Sequence, residues 1–467
     1  MTLRKSVLFL FITILIFLFQ LNFYLPNALA TVKSMHCTGP VFVLENALEI
    51  QTKFGGCDGG SLLAITFDFL SNNSLSQTSI SFLHLWPPGL SLVHFIPIAI
   101  LNEKIPLLLF YILSYVMIFT VIFATFIFLN RRGLRNLFYS IFVVFFLVTS
   151  SPFRGWFFES GLLYQETFAF IFLAIGFILL FNLHKKLDIA KNAFLIGFCF
   201  GLASFFRSSI DLFNMSILLV FSGLFLSRFL VNRLSNRAKS YRLKDNPLLW
   251  ISFGIIFITL PWRIFLGTYV HPGDFSWTTY GNIWVSRWIP SELLIERGVG
   301  PWVNSGLNVG CQIDLMKCKE FQDLESIKKA PYDGVSPLDN DFYRFELLDS
   351  IVNNPQTFLK NRFTVITSHW YTDNEFNYLE KRNVVEASVF AMLLLGSLFL
   401  SIWNSRNKLL VFNQIWIIFV VSSFLPFLIF HVEARYLIFL KLLATFVFFE
   451  NLKYLRSTSL KNNSSLF

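Results

Sequence analysis

Apolar residues in this chain come in long, nearly unbroken runs, and no other feature limits the fold as much. Runs that span a bilayer, or nearly do, fall at about 6–26, 106–130, 137–150, 163–182, 193–206, 209–226, 248–266, 386–404, 411–430 and 435–452. About 20 helical residues cross the hydrocarbon layer. A helix also satisfies its own backbone polar groups, which lipid cannot do. The reading is an all-α polytopic membrane protein of about 10 transmembrane helices. Composition agrees, with 55% of residues hydrophobic and 14% charged, against about 25% charged in a soluble chain. An ordinary water-soluble enzyme is excluded, and so is a disordered chain.

The net charge of +10 would ordinarily raise nucleic acid as a partner. The basic residues, however, sit in short clusters between the runs: Arg131, Arg132 and Arg135; Lys185 and Lys186; Arg228 to Lys244; Arg406 and Lys408. With the N-terminus inside, ten spans place all of these clusters and both termini on the cytoplasmic face. Half of the basic residues then lie there with only two acids, Asp188 and Asp245. That is the bias the positive-inside rule describes. The charge is a topology signal, and no nucleic acid is needed to explain it.

Arg4-Lys5, an apolar run and Ala28-Leu29-Ala30 also suit a cleavable signal peptide. The run is long for that role, so a retained first helix is the favoured reading. The chain divides into a transmembrane core over 1–266 with a first exterior loop at about 27–105, a mixed exterior domain over 267–385, and C-terminal helices with a cytoplasmic tail over 386–467. The two exterior segments hold Cys37, Cys57, Cys311 and Cys318, and an outer compartment permits disulfides. Pairing neighbours, Cys37–Cys57 and Cys311–Cys318, is the simplest of three connectivities. Cys199, within a span, reads as a small buried hydrophobe. In the exterior domain, Tyr343 to Arg362 reads as an amphipathic helix interrupted at Asn353-Asn354-Pro355. Trp277, Trp284, Trp288, Trp302 and Trp370 suit either stacking on a sugar or packing against neighbouring loops.

Charges in or beside a span are costly and mark functional candidates. Asp58, Glu159, Glu166, Arg207, Asp211, Arg263, Glu433 and Arg435 all fall at or near exterior ends of the runs. A transporter places its polar groups near mid-membrane, whereas charges at one face suggest chemistry there on a substrate arriving from the lipid. Six of the eight also have a bland alternative. Asp58, before Gly59-Gly60, suits a helix N-cap. Glu433 and Arg435 suit a mutual ion pair. Arg207 and Asp211 have the i,i+4 spacing of a helical pair, and Arg263 suits snorkelling to the surface. Pro87-Pro88-Gly89 fixes a turn before the apolar stretch 90–102, which is too short to span and suits the outer membrane face.

Five segments in order resemble the GT-C glycosyltransferases, nearest the protein O-mannosyltransferase and aminoarabinose-transferase type. They are Asp58-Gly59-Gly60-Ser61-Leu62-Leu63-Ala64 with Pro87-Pro88-Gly89; Gln165-Glu166-Thr167-Phe168; Gly201-Leu202-Ala203-Ser204-Phe205-Phe206-Arg207; Leu260-Pro261-Trp262 with Gly281-Asn282-Ile283-Trp284; and Glu433-Ala434-Arg435-Tyr436. Ala434 stands where that family usually has proline. The resemblance covers roughly 1–300 and 411–452.

It implies an inverting transfer of a sugar from a polyprenyl-phosphate donor to an acceptor hydroxyl on the exterior face. By the same match Asp58 is the general base, removing the acceptor's proton as attack proceeds. Glu166 would orient the acceptor or join Asp58 on a divalent cation. Arg435, Arg263 and Arg207, in that order, would meet the leaving phosphate, since guanidinium suits bidentate phosphate contact. Glu433, Glu159 and Tyr436 are supporting residues. No His/Asp/Glu spacing of recognised metal type occurs around His84, His369 or His431, so no cofactor is called for, though a divalent metal is compatible. There is no Walker loop, Gly-x-Gly-x-x-Gly or Gly-x-Ser-x-Gly segment. The partners expected are the lipid-linked sugar, an acceptor protein, lipid or glycan, and the bilayer. The location expected is the bacterial inner membrane, with the site on the periplasmic face. The rival classes are a transporter or flippase of lipid-linked glycans and a non-catalytic membrane assembly protein.

Overall fold

The computed structural model describes residues 43–44, 65–66, 69–70, 83, 87–100, 105–106, 165–183, 188–234, 246–270, 351–353, 355–356, 359, 363, 366, 370, 381–404, 410–429 and 437–464. The described regular structure is helical apart from one short pairing: β1 (Val43–Leu44) runs antiparallel to β2 (Ile105–Pro106). Pro106, expected to open an apolar helix, is thus in a strand. Residues 107–130 and the expected spans at 6–26 and 137–150 lie outside the described residues.

The helices are α1 (Gly89–Ile100), α2 (Glu166–Asn182), α3 (Ile189–Phe206), α4 (Asp211–Leu234), α5 (Pro247–Phe265), α6 (Lys381–Trp403), α7 (Leu410–Ile429) and α8 (Ile438–Ser464). By length and composition three stretches can cross a membrane, Ile189–Phe206, Pro247–Tyr269 and Val384–Trp403. Phe168–Asn182, Asp211–Ser227 and Leu410–Leu425 are shorter apolar helices. On α5 the large apolar side chains Phe253, Phe257, Leu260 and Ile264 are exposed while Ser252, Thr259 and Arg263 are buried. A helix apolar outside and polar within suits lipid and would be unstable in water.

Local chemistry sets the helix ends. Asp188 caps α3 by accepting a hydrogen bond from the Lys191 amide at 2.9 Å. Asn246 caps α5 by accepting from the Leu248 amide at 3.1 Å, with Pro247 at the first helical position. Both are side-chain N-caps of the preferred types. Pro261, inside α5, cannot donate a backbone hydrogen bond to the turn before it, and the chain continues from Phe265 into a π-helical turn over Leu266–Val270. Asn353 and Pro355 are themselves helical, so the expected interruption is not a break at those two residues.

The chain forms two compact units, one of Met1–Trp277 with Ile402–Ile415, the other of Thr278–Ser401 with Trp416–Phe467. In the first, α3 and α5 pack so closely that their backbones meet. A Cβ on Gly197 would overlap the Ile251 carbonyl, and one on Gly254 would overlap the Phe194 carbonyl. Gly201, four residues after Gly197, continues this small-residue face, which permits van der Waals packing between helices in lipid. Phe200 packs on Phe177 of α2 and Phe213 of α4, with ring centroids 5.5 and 5.1 Å away. Phe412 meets Phe177 and Phe181 edge-on at 6.4 and 5.0 Å.

In the second unit the Trp370 indole donates to the Ala387 carbonyl at 2.9 Å and stacks on Phe424 at 6.3 Å. The Lys441 ammonium, buried in the first turn of α8, lies 5.4 Å from the centre of the same ring, a cation–π distance. Further along α8, the Asn451 amide donates to the Ser401 hydroxyl at 3.3 Å, and on α7 the Trp416 indole donates to the Ser397 hydroxyl at 3.1 Å.

Candidate functional site

Phe205-Phe206-Arg207, at the end of α3, organises one end of the first unit. The Phe206 ring stacks on Phe168 and Phe172 of α2, at 5.3 and 5.5 Å. The Phe205 ring meets Trp262 of α5 edge-on at 5.8 Å. The start of α1 sits against both: a Cβ on Gly89 would be 2.6 Å from the Phe205 carbonyl and 2.8 Å from the Phe206 ring. Only glycine fits there. Thr66 ties the preceding segment to α1, its hydroxyl donating to the Ser91 carbonyl at 2.8 Å.

Four segments separated along the chain therefore meet at one end of the helices: Pro87–Gly89, Gln165–Phe168, Gly201–Arg207 and Pro261–Arg263. Their charges are buried there. Arg207 and Glu166 form an ion pair, Nε to Oε1 at 3.3 Å, with side chains 3% and 1% exposed. Arg263 donates through Nη2 to Oδ2 of Asp211, and these side chains are 7% and 4% exposed. Ser204 also interacts with the Asp211 carboxylate. Glu166 stands in the first turn of α2, where the helix dipole favours a carboxylate.

Two of the bland readings are corrected here. Arg207 does not pair with Asp211, because α3 ends at Phe206 and Arg207 is extended (φ −139°, ψ 113°) before a 3₁₀ turn over Ser208–Ile210. Residues four apart share a face only on a continuous helix. Each instead reaches a different helix, Arg207 to α2 and Asp211 to α5. Nor does Arg263 snorkel: it points into the protein and meets Asp211.

Of the site residues expected from sequence, Glu166, Arg207 and Arg263 are thus gathered into one buried constellation with Asp211. Asp58, Glu159, Glu433, Arg435 and Tyr436 lie outside the described residues, as do Cys37, Cys57, Cys311 and Cys318. Among the described residues no three His, Cys, Asp or Glu side chains group in a way that could hold a metal ion. Trp370, considered above for sugar stacking, has its ring engaged by Phe424 and Lys441.

Several buried polar groups escaped the sequence reading. Lys441 and Glu450 both lie in the 435–452 run and are buried; a lone ionisable residue within such a run is itself a signal. Asn214 is 1% exposed on α4 and donates to the Phe200 carbonyl at 3.0 Å. Gln165, which opens the Gln165-Glu166-Thr167-Phe168 segment, is 2% exposed.

Two cation–carboxylate pairs thus lie at one end of four helices, nearly excluded from solvent and balanced in charge. There each guanidinium keeps its charge and holds a carboxylate in place. Comparison with known proteins finds no family model, no curated protein and no solved structure that matches this chain.

Proposed function

We propose that this chain is a GT-C-type membrane glycosyltransferase of about ten spans, acting at the exterior face of a bacterial inner membrane. It moves a sugar from a polyprenyl-phosphate carrier to an acceptor hydroxyl with inversion. Asp58 takes the acceptor's proton, and guanidinium groups from Arg435, Arg263 and Arg207 offset charge growing on the leaving phosphate. The transition state is oxocarbenium-like, so carboxylate charge nearby also lowers the barrier.

The observation that carries this reading is the meeting of the separate motif segments at one end of α2, α3, α4 and α5, with Glu166, Arg207, Asp211 and Arg263 buried together. That end is the one the charge distribution assigns to the exterior. Charges collected at a single face suit transfer chemistry on a lipid-borne substrate. Within this reading the Glu166–Arg207 and Asp211–Arg263 pairs hold the arginines in fixed orientations.

A transporter or flippase of lipid-linked glycans is the second reading. The buried Asn214, Ser252 and Thr259 within α4 and α5 favour it, since polar groups inside spans mark substrate paths. The two separate on bond formation. Membranes containing the protein, incubated with radiolabelled polyprenyl-phosphate sugars, pass label to a new acceptor under the first reading and only redistribute intact donor under the second.

A further inference from the structure

At the constellation's edge, Gln165 holds the N-cap position of α2 without capping it: its side chain makes no hydrogen bond to the first-turn amides. Neither amide atom, Oε1 or Nε2, has a hydrogen-bond partner among the described residues, although the side chain is almost wholly buried. The N-caps of α3 and α5 are satisfied by Asp188 and Asn246. Burying an amide with nothing to bond costs stability, and lipid surroundings do not relieve it. Two more uncharged polar atoms without a hydrogen-bond partner among the described residues belong to this end of the bundle: the buried indole N–H of Trp262, next to Arg263, and Oδ1 of Asn214, one turn along α4 from Asp211. These groups are uncharged and offer both donors and acceptors. They do not resemble a phosphate or metal site; their chemistry matches hydroxyls, each of which donates and accepts.

We infer that Gln165 binds the hydroxyls of a sugar, its planar carboxamide accepting from one and donating to its neighbour. This rests on the glycosyl-transfer reading for the identity of the ligand as a lipid-linked sugar. Gln165 therefore discriminates among sugars and takes no part in proton transfer or phosphate contact. A buried group awaiting a ligand's hydroxyl also rejects ligands that lack it, because the amide then stays unpaired.

The test uses the full-length protein purified in detergent and probes of undecaprenyl phosphate alone and undecaprenyl phosphate linked to mannose, glucose or galactose. The protein is expected to bind at least one sugar-bearing lipid about tenfold or more tighter than undecaprenyl phosphate. Gln165→Leu, which keeps the side-chain volume, is expected to erase that margin while binding undecaprenyl phosphate as before. Its unliganded melting temperature should be equal or higher, since the substitution removes an unsatisfied buried amide. No margin with any of the three sugars overturns the inference, as does a margin that survives Gln165→Leu. A variant that melts lower and loses all binding equally shows a structural role and also overturns it. An intact, Gln165-dependent margin in a protein that never transfers the sugar would refute glycosyl transfer and leave sugar recognition standing.

Discussion

The Asp211–Arg263 pair allows a quantitative test of how the first unit is held together. It joins the start of α4 to the last turn of α5 across 52 residues of sequence, and both side chains are nearly excluded from solvent. An exposed ion pair would contribute about 0–1 kcal/mol. At this burial the cost of removing one partner is dominated by the charge left behind, about 3–5 kcal/mol. Asp211→Asn removes the carboxylate that faces Arg263 and Arg263→Met removes the cation that faces Asp211, so each single variant should lose about that much. The double variant strands no charge and should fall within about 1–2 kcal/mol of the parent. Equilibrium denaturation in detergent micelles, followed by helix signal, measures all four corners of the cycle. The reasoning fails if the single variants lose less than about 1 kcal/mol, or if the double variant loses the sum of the two. Either result would mean that the charges are solvated or independent.

Other outcomes follow from the same geometry. Gly197→Ala and Gly254→Ala push a methyl group into the Ile251 and Phe194 carbonyls; each should cost about 1–3 kcal/mol or more by prising α3 from α5. Gly223→Ala, on open helix surface with nothing within 4 Å, should instead gain up to about 1 kcal/mol from helix propensity, and detergent melts compare the three. Arg207→Lys should lose about 1–3 kcal/mol, because lysine lacks a nitrogen at the Nε position that faces Glu166. Arg207→Met, leaving Glu166 without that cation, should lose more, and the same melts order the two.

The helices were legible where hydrophobicity alone decides them. The runs at 163–182, 411–430 and 386–404 correspond to α2, α7 and α6 within a few residues. Where polar residues continue a helix the runs fell short: α4 goes on through Arg228 and Arg233 to Leu234, and α8 to Ser464. Apolar content marks the part of a helix in lipid, while backbone hydrogen bonding carries it further. The site was legible as a set of charges and illegible as a set of pairs. Arg207 and Asp211 look like helical partners until the chain turns at Phe206, and no local pattern shows that Glu166 and Arg263 are their true neighbours. The orphaned amide of Gln165 was invisible for the same reason, because satisfaction of a polar group depends on every element packed around it.

Transfer itself is the most direct test. Membranes bearing the parent protein or Asp58→Asn, present in equal amounts, are given a radiolabelled polyprenyl-phosphate sugar, and label is sought in a product no longer attached to the carrier. The account predicts transferred label with the parent and a loss of at least about a hundredfold with Asp58→Asn, the scale of a missing general base. Equal transfer by both would remove Asp58 from the chemistry. Carrier that stays fully labelled with the parent, across the sugars tried, would contradict glycosyl transfer as the function of this chain.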